Sequence, residues 1–425
     1  MAESNGRNSG PIWEQVRRPP MVRAVNAIGG GLRRVGVRWP RLGPEALMAD
    51  ARRRTGLDDF GDGGFGEGLG VLVAAFGARE DVHAFGRFFF REYCTNLLVN
   101  RLKIQADLAR HPEIGEVPIR RPLFITGLPR SGTTYLHRLM SEDPQGRPLL
   151  TWEAMEPSPP PEPSTYATDP RIARARRQLG LLERLSPRLA TAHEFGAQIP
   201  EEDNNFFAHD FTSGILGFLF DVPDYVQWLR GQDLGPVYRY ARRQLQLLSW
   251  KVRADHWILK APAHQYGLTA LLGAFPDACV IVTHRDPLKV VPSICSMAAG
   301  LRGIFTDRLD LRRLGAEFAE AIAIGPDRVI AARAEIDPAR IFDVAYDRAV
   351  AEPIEVIREA CRHFGYDFGP EYESRARRHL AEHPRHKHGA HRYRLEDFGL
   401  DAPTVDRHFA GYHAWLAARG IAVGG

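Results

Sequence analysis

The chain has 425 residues, 44% of them apolar and 25% charged, with a formal net charge of +4. This is the composition of an ordinary globular protein, long enough for a large core and an extension beyond one average domain. So small a charge gives no argument for nucleic acid, and no apolar run approaches the roughly 18 residues that span a bilayer.

Residues 1–40 are rich in Gly, Pro and Arg and nearly free of acidic groups, which predicts a flexible or surface-hugging basic arm, with contact to an anionic lipid surface or a partner as the sharper alternative. No hydrophobic signal core follows Met1. A helical extension is expected over 41–115. Leu47 and Ala51 share a face there, and Phe85, Phe88, Phe89, Tyr93, Leu97, Leu98 and Leu102 recur at spacings of three and four. The glycine-rich stretch 58–68 reads as a loop between these helices. Cys94, Cys279, Cys295 and Cys361 follow neither a disulfide framework nor a metal spacing, so a cytoplasmic protein with reduced thiols is expected.

The third division, 116–425, alternates strands with helices. Leu123 to Thr126 is apolar and runs into Gly127-x-x-x-x-Gly132-Thr133-Thr134, then into a helix with Leu136, Leu139 and Met140 on one face. Strand, glycine loop and helix N-terminus form a phosphate cradle, because unpaired N–H groups and the helix dipole favour an anion. Thr133 stands where a nucleotide triphosphatase has the lysine that reaches the β- and γ-phosphates, so the loop suits a different activated nucleotide. Further strands are expected at 256–260, 279–283 and 341–346, with helices over 288–299 and 353–364, the last stopped by Gly365. The stretch 156–170 is proline-rich and reads as a surface loop. The fold class is α/β: a P-loop-like parallel sheet flanked by helices, with a helical N-terminal extension and the ligand at the carboxyl ends of the strands.

Four segments fall at those ends: the loop with Arg130, Ser131, Gly132, Thr133 and Thr134; Lys260 to His264; Arg285 to Ser293; and Tyr346-Asp347. Together they resemble the sulfotransferases that use 3′-phosphoadenosine 5′-phosphosulfate (PAPS), in particular the bacterial and actinobacterial-type branch, over about residues 44 to 415. Pro129 to Thr134 matches the family's 5′-phosphosulfate loop. Arg285 and Ser293, eight residues apart, match its 3′-phosphate pair, and Tyr346-Asp347 is similar to its adenine-contacting turn. The resemblance implies PAPS as co-substrate, no metal, and a small-molecule or lipid-like hydroxyl acceptor. It also implies that Lys387, His391 and Arg392 belong to a basic segment near the 3′-phosphate.

Sulfuryl transfer, like phosphoryl transfer, passes through a loose in-line transition state, so catalysis is positioning, charge stabilisation and one proton acceptor. Arg130 and Lys260 are the expected cations. Lys260 is one of only five lysines among 56 basic residues, so a compact ammonium there stands out. Three candidates remain for the base. Glu153 lies 23 residues after Arg130, where the family's members with an arginine-containing loop place a glutamate. His264 follows Lys260 by four positions, where the cytosolic members have a histidine at two. Glu202 lies in a cluster with Glu201 and His193, ahead of Phe206, Phe207, Phe211, Phe218 and Phe220, which would line an acceptor pocket or form core. The C-terminal histidines lack companion ligands, so no metal is assigned. A P-loop kinase and a non-catalytic nucleotide-binding protein are the alternative readings.

Overall fold

The computed structural model describes residues 11–62, 64–187, 194–383 and 393–424. Lys387, His391, Arg392 and His193 lie outside the described residues.

Five strands form one parallel sheet in the order β2-β3-β1-β4-β5: β1 (Leu123–Gly127), β2 (Gly146–Pro148), β3 (His256–Lys260), β4 (Cys279–His284) and β5 (Ile341–Ala345). β1, β3 and β4 are buried along their whole length, as expected of parallel strands covered on both faces. Alternate residues serve the two faces. Leu123, Ile125, Ile258 and Ile281 pack with Leu136, Leu139 and Met140, while Phe124, Leu259, Val280 and Val282 pack with Leu245, Leu248 and Leu271. After β1 the chain crosses to one side of the sheet for β2 and β3, and after β3 to the other side for β4 and β5. The β1 loop therefore lies where the strand order reverses, the place such sheets bind ligands.

The extension consists of helices Pro44–Thr55, Phe65–Ala78 and Ala84–Arg110. It is not a separate body. Leu69, Phe76 and Phe90 share one core with Phe211, Phe220, Tyr225 and Phe305. Arg101, 1% exposed, pairs with Asp210 at 2.8 Å and donates to the carbonyls of Phe60 and Asp62. The boundary expected near residue 115 is thus a boundary of sequence pattern, not of packing.

The expectation of a flexible arm over 1–40 is corrected from Ile12 onward. Ile12 and Val22 are each 1% exposed within that same core, and Trp13 meets Phe398 edge-on at 5.1 Å. Helix Pro20–Arg34 lies on Ala84–Arg110, with Gly29 so close to Ala84 that a Cβ would sit 2.1 Å from that side chain. Composition hid this because only one residue in three or four on such a helix needs to be apolar to anchor it. The proline-rich loop is fixed as well: buried Arg171 donates to the carbonyls of Glu156, Pro157 and Pro159.

Candidate active site

Two glycines shape the loop. Gly127 has φ +138°, and a Cβ there would lie 2.3 Å from the Thr283 carbonyl oxygen, so strand β1 can end against β4 only with glycine. Gly132 has φ +86° and would place a Cβ 2.7 Å from the Tyr346 ring. Between them Arg130 holds φ +65°, a left-handed conformation that costs an arginine on the order of 1–3 kcal/mol. A neighbouring cation stabilises it: Arg285 Nη1 donates to the Arg130 carbonyl at 2.6 Å. The Arg130 Nε donates to Ser293 Oγ at 3.3 Å, and the Arg285 guanidinium lies 3.9 Å over the Tyr346 ring. Arg130, Gly132, Arg285, Ser293 and Tyr346, which lie on three separate segments of the sequence, are therefore in one place.

The loop residues do not all have the same use. Ser131 is 1% exposed; its amide and its hydroxyl both donate to the Leu128 carbonyl, and the hydroxyl also meets Thr283 Oγ1 at 2.5 Å. It pins the loop to β4. Thr133 and Thr134 open helix Thr133–Met140, so their amides have no acceptor within the helix. Lys260, at the end of β3 and 1% exposed, donates from Nζ to Thr134 Oγ1 at 3.3 Å and to Glu202 Oε1 at 2.7 Å. The ammonium missing from position 133 thus arrives from the adjacent strand.

Burial, reinforced by Arg285, holds the Arg130 guanidinium below its ordinary value, against the opposing influence of Tyr393, Tyr346 and Glu202. A bound dianion would relieve that. His137, on the loop's own helix, is kept neutral mainly by burial and next by Lys260, its pKa pushed down to about 3. Burial likewise pushes His209 down to about 4. Both act on stability in the same direction. Unfolded, each takes a proton as pH falls through about 6.5, and folded it does not, so stability is full above that pH and is lost toward pH 4. The expected slope is about 1.4 kcal/mol per pH unit for each ring. Denaturation midpoints should fall between pH 7 and pH 5, and His209→Gln should flatten the fall; a flat wild-type profile would contradict this assignment.

The three base candidates have different surroundings. Glu202, its side chain 22% exposed, faces Lys260 and accepts from Asn204 Nδ2 at 3.1 Å. His264 is fully buried, with Nδ1 against Tyr238 OH at 2.9 Å and Nε2 against Asp203 Oδ1 at 3.0 Å. Glu153 is also fully buried; Oε1 accepts from Arg147 Nη2 at 2.5 Å and Oε2 from the Leu150 amide at 3.2 Å, capping helix Thr151–Met155. Of the phenylalanines, Phe206, Phe207, Phe211 and Phe220 are core, and Phe218 is half-buried against Phe318. One supporting residue had no sequence signal. Tyr412, near the C-terminus, meets His284 Nδ1 at 3.0 Å and accepts from the Arg285 backbone, fixing the turn that carries Arg285.

A parallel sheet carrying a P-loop without its lysine, with Arg130 and Arg285 gathered at that loop, defines a group-transfer enzyme of the P-loop-like class. The chain belongs to the sulfotransferase family, whose profile matches residues 122–370. Among solved structures it is similar to sulfotransferase STF9 from Mycobacterium avium, with TM-score 0.83 and 30% identity over 91% of this chain and 99% of that one. It is also similar to STF1 from Mycobacterium tuberculosis H37Rv, with TM-score 0.78 and 32% identity over 86% and 98%. A curated relative, the omega-hydroxy-beta-dihydromenaquinone-9 sulfotransferase Stf3 of Mycobacterium bovis, is 24% identical over 311 residues, 68% of this chain and 73% of that protein. The enzyme is a PAPS-dependent sulfotransferase that transfers a sulfuryl group to a hydroxyl. Among the described residues no helix is long and apolar enough to cross a membrane.

Proposed function

We propose that the sulfuryl group is transferred between Lys260 and Glu202, and that Glu202 is the base. The contact that carries this reading is the 2.7 Å pair of Lys260 Nζ with Glu202 Oε1, beside Thr134 at the start of the loop helix. A cation there suits the oxygens that gain charge as the sulfur–oxygen bond to the nucleotide breaks. A carboxylate partly open to the outside suits the incoming hydroxyl, whose proton it accepts. The loop amides with Thr133 and Thr134 would hold the 5′-phosphate, Arg130 the sulfuryl oxygens, and Arg285 with Ser293 the 3′-phosphate. Tyr346, half-buried between Gly132 and Arg285, offers a flat face for the adenine. Lys387, His391 and Arg392 would add positive charge over the 3′-phosphate.

We assign the acceptor to the lipid-like alcohols, supported by the substrate in the name of the curated relative. Work in the cytoplasm fits four buried free thiols. The nucleotide assignment is tested by calorimetry. 3′-Phosphoadenosine 5′-phosphate should bind far more tightly than ADP, and Arg285→Ala should remove roughly 1.5–3 kcal/mol, about 10- to 150-fold, from the bisphosphate. Loss for 5′-AMP should be smaller. Equal losses on both ligands would mean that Arg285 acts only by holding the Arg130 carbonyl.

A further inference from the structure

Helix Pro20–Arg34 buries one apolar face and leaves a second uncovered. Met21, Ile28 and Val35, seven residues apart, are 61%, 62% and 74% exposed and lie on one side of the helix and its end. From residue 15 to residue 44 the chain has seven arginines and no aspartate or glutamate.

Beside this stripe lies a cavity of about 550 Å³, lined among others by Arg33, Arg38, Trp39, His83 and Arg87. Arg87 is only 8% exposed, yet among the described residues it has no carboxylate partner. Its Nη2 donates to the Pro40 carbonyl at 3.3 Å, and its Nε has no partner. Burial, with Arg38 and Arg33 adding to it, holds this guanidinium below its ordinary value. The carboxylates that reach the cavity are already engaged: Asp81 with Arg79 and Thr306, Asp307 with Arg18, Glu80 with Arg38. A buried cation with no counter-ion is strongly unfavourable unless an anion arrives from outside.

We propose that cavity and stripe together dock the protein on an anionic phospholipid surface. A headgroup phosphate enters among Arg87, Arg33 and Arg38, while Met21, Ile28 and Val35 enter the acyl boundary. A free phosphate would need the cavity but not the stripe. A second copy of the chain, meeting this face symmetrically, would set arginines against arginines. The inference is independent of which alcohol is sulfated and of which residue is the base.

The test is co-sedimentation with vesicles of phosphatidylcholine alone and of phosphatidylcholine with equal phosphatidylglycerol. The wild type should partition onto the anionic vesicles at least about tenfold more strongly, with the preference shrinking as salt rises. The triple variant Met21→Ser, Ile28→Ser, Val35→Ser should lose at least about tenfold of that binding and melt where the wild type does, since all three side chains are exposed. Arg87→Met should lose the anionic preference without melting lower, because it removes an unpaired buried charge; if it fails to fold, the serine variant still decides. Equal or absent binding to both vesicles would overturn the proposal, as would unchanged binding in the serine variant. So would a thermal shift with inorganic phosphate but no vesicle binding, or a dimer in light scattering that the serine substitutions dissolve.

Discussion

A Glu202→Gln enzyme is expected to bind 3′-phosphoadenosine 5′-phosphate as the wild type does and to turn over roughly 10²–10⁴ times more slowly. The substitution keeps the shape and, with the amide oxygen turned toward Lys260, that hydrogen bond, giving up the one from Asn204. What it removes is the lone pair that accepts the hydroxyl proton. Its neighbours separate this effect from loss of structure. Lys260 retains Thr134 Oγ1 as a partner, so the nucleotide cradle should stand. The same variant should also lose the acid limb of the kcat profile, because no carboxylate remains to be protonated. Near-normal turnover with the limb intact would place the base elsewhere. His264 is the instructive comparison. With one nitrogen against Tyr238 and the other against Asp203, the residue beside Glu202, it is a positioning residue in this reading. His264→Ala should then lower both turnover and thermal stability, whereas Glu202→Gln chiefly lowers turnover.

The convergence of the residues proposed for the nucleotide was legible in the sequence because they sit at strand ends, where local pattern and place in the sheet coincide. The apolar runs of β1, β3 and β4 are continuous because those strands are buried on both faces; β1 ends on Gly127, β3 ends on Lys260, and Arg285 follows β4 directly. Strand β2 has no sequence signal, being three residues with a proline at its end, too short to show a period. The acceptor side was less legible for a different reason. Glu202 enters from an irregular segment between 194 and 204 that has no strand or long helix to announce its direction, and only the fold brings it to Lys260. The phenylalanines that follow suggest a pocket by composition, but Phe211 and Phe220 pack into the core of the extension, and Phe206 and Phe207 into the core on one face of the sheet. The N-terminal segment misled in the opposite sense. Its arginines and glycines read as mobile, while Ile12, Val22 and the close packing of Gly29 on Ala84 tie it down.

Glu153→Gln is expected to leave the chemistry largely intact and to destabilise the fold, the reverse of Glu202→Gln. Spacing from the loop favours Glu153 as the base, but spacing says nothing about what else a carboxylate meets. Here Arg147, on β2 and only 7% exposed, donates to it and to the carbonyls of Leu248 and Val252, with its guanidinium 4.4 Å over the Trp257 ring. Glu153 also caps helix Thr151–Met155 through the Leu150 amide. Both carboxylates have donors on both oxygens, but Glu153 is fully buried, whereas Glu202, 22% exposed, is open enough for a hydroxyl to reach it. Neutralising it leaves the Arg147 charge buried without its counter-charge, and breaking such a pair costs up to roughly 3–5 kcal/mol. Loss of the cap adds about 0.5–2 kcal/mol. The variant should therefore melt well below the wild type, yet at a temperature where both are folded it should keep turnover within a few-fold. Arg147→Met in the Glu153→Gln background should restore part of the stability by removing the stranded charge. If Glu153→Gln instead melts like the wild type and is inactive, Glu153 is the base and the Glu202 carboxylate only holds Lys260 in place.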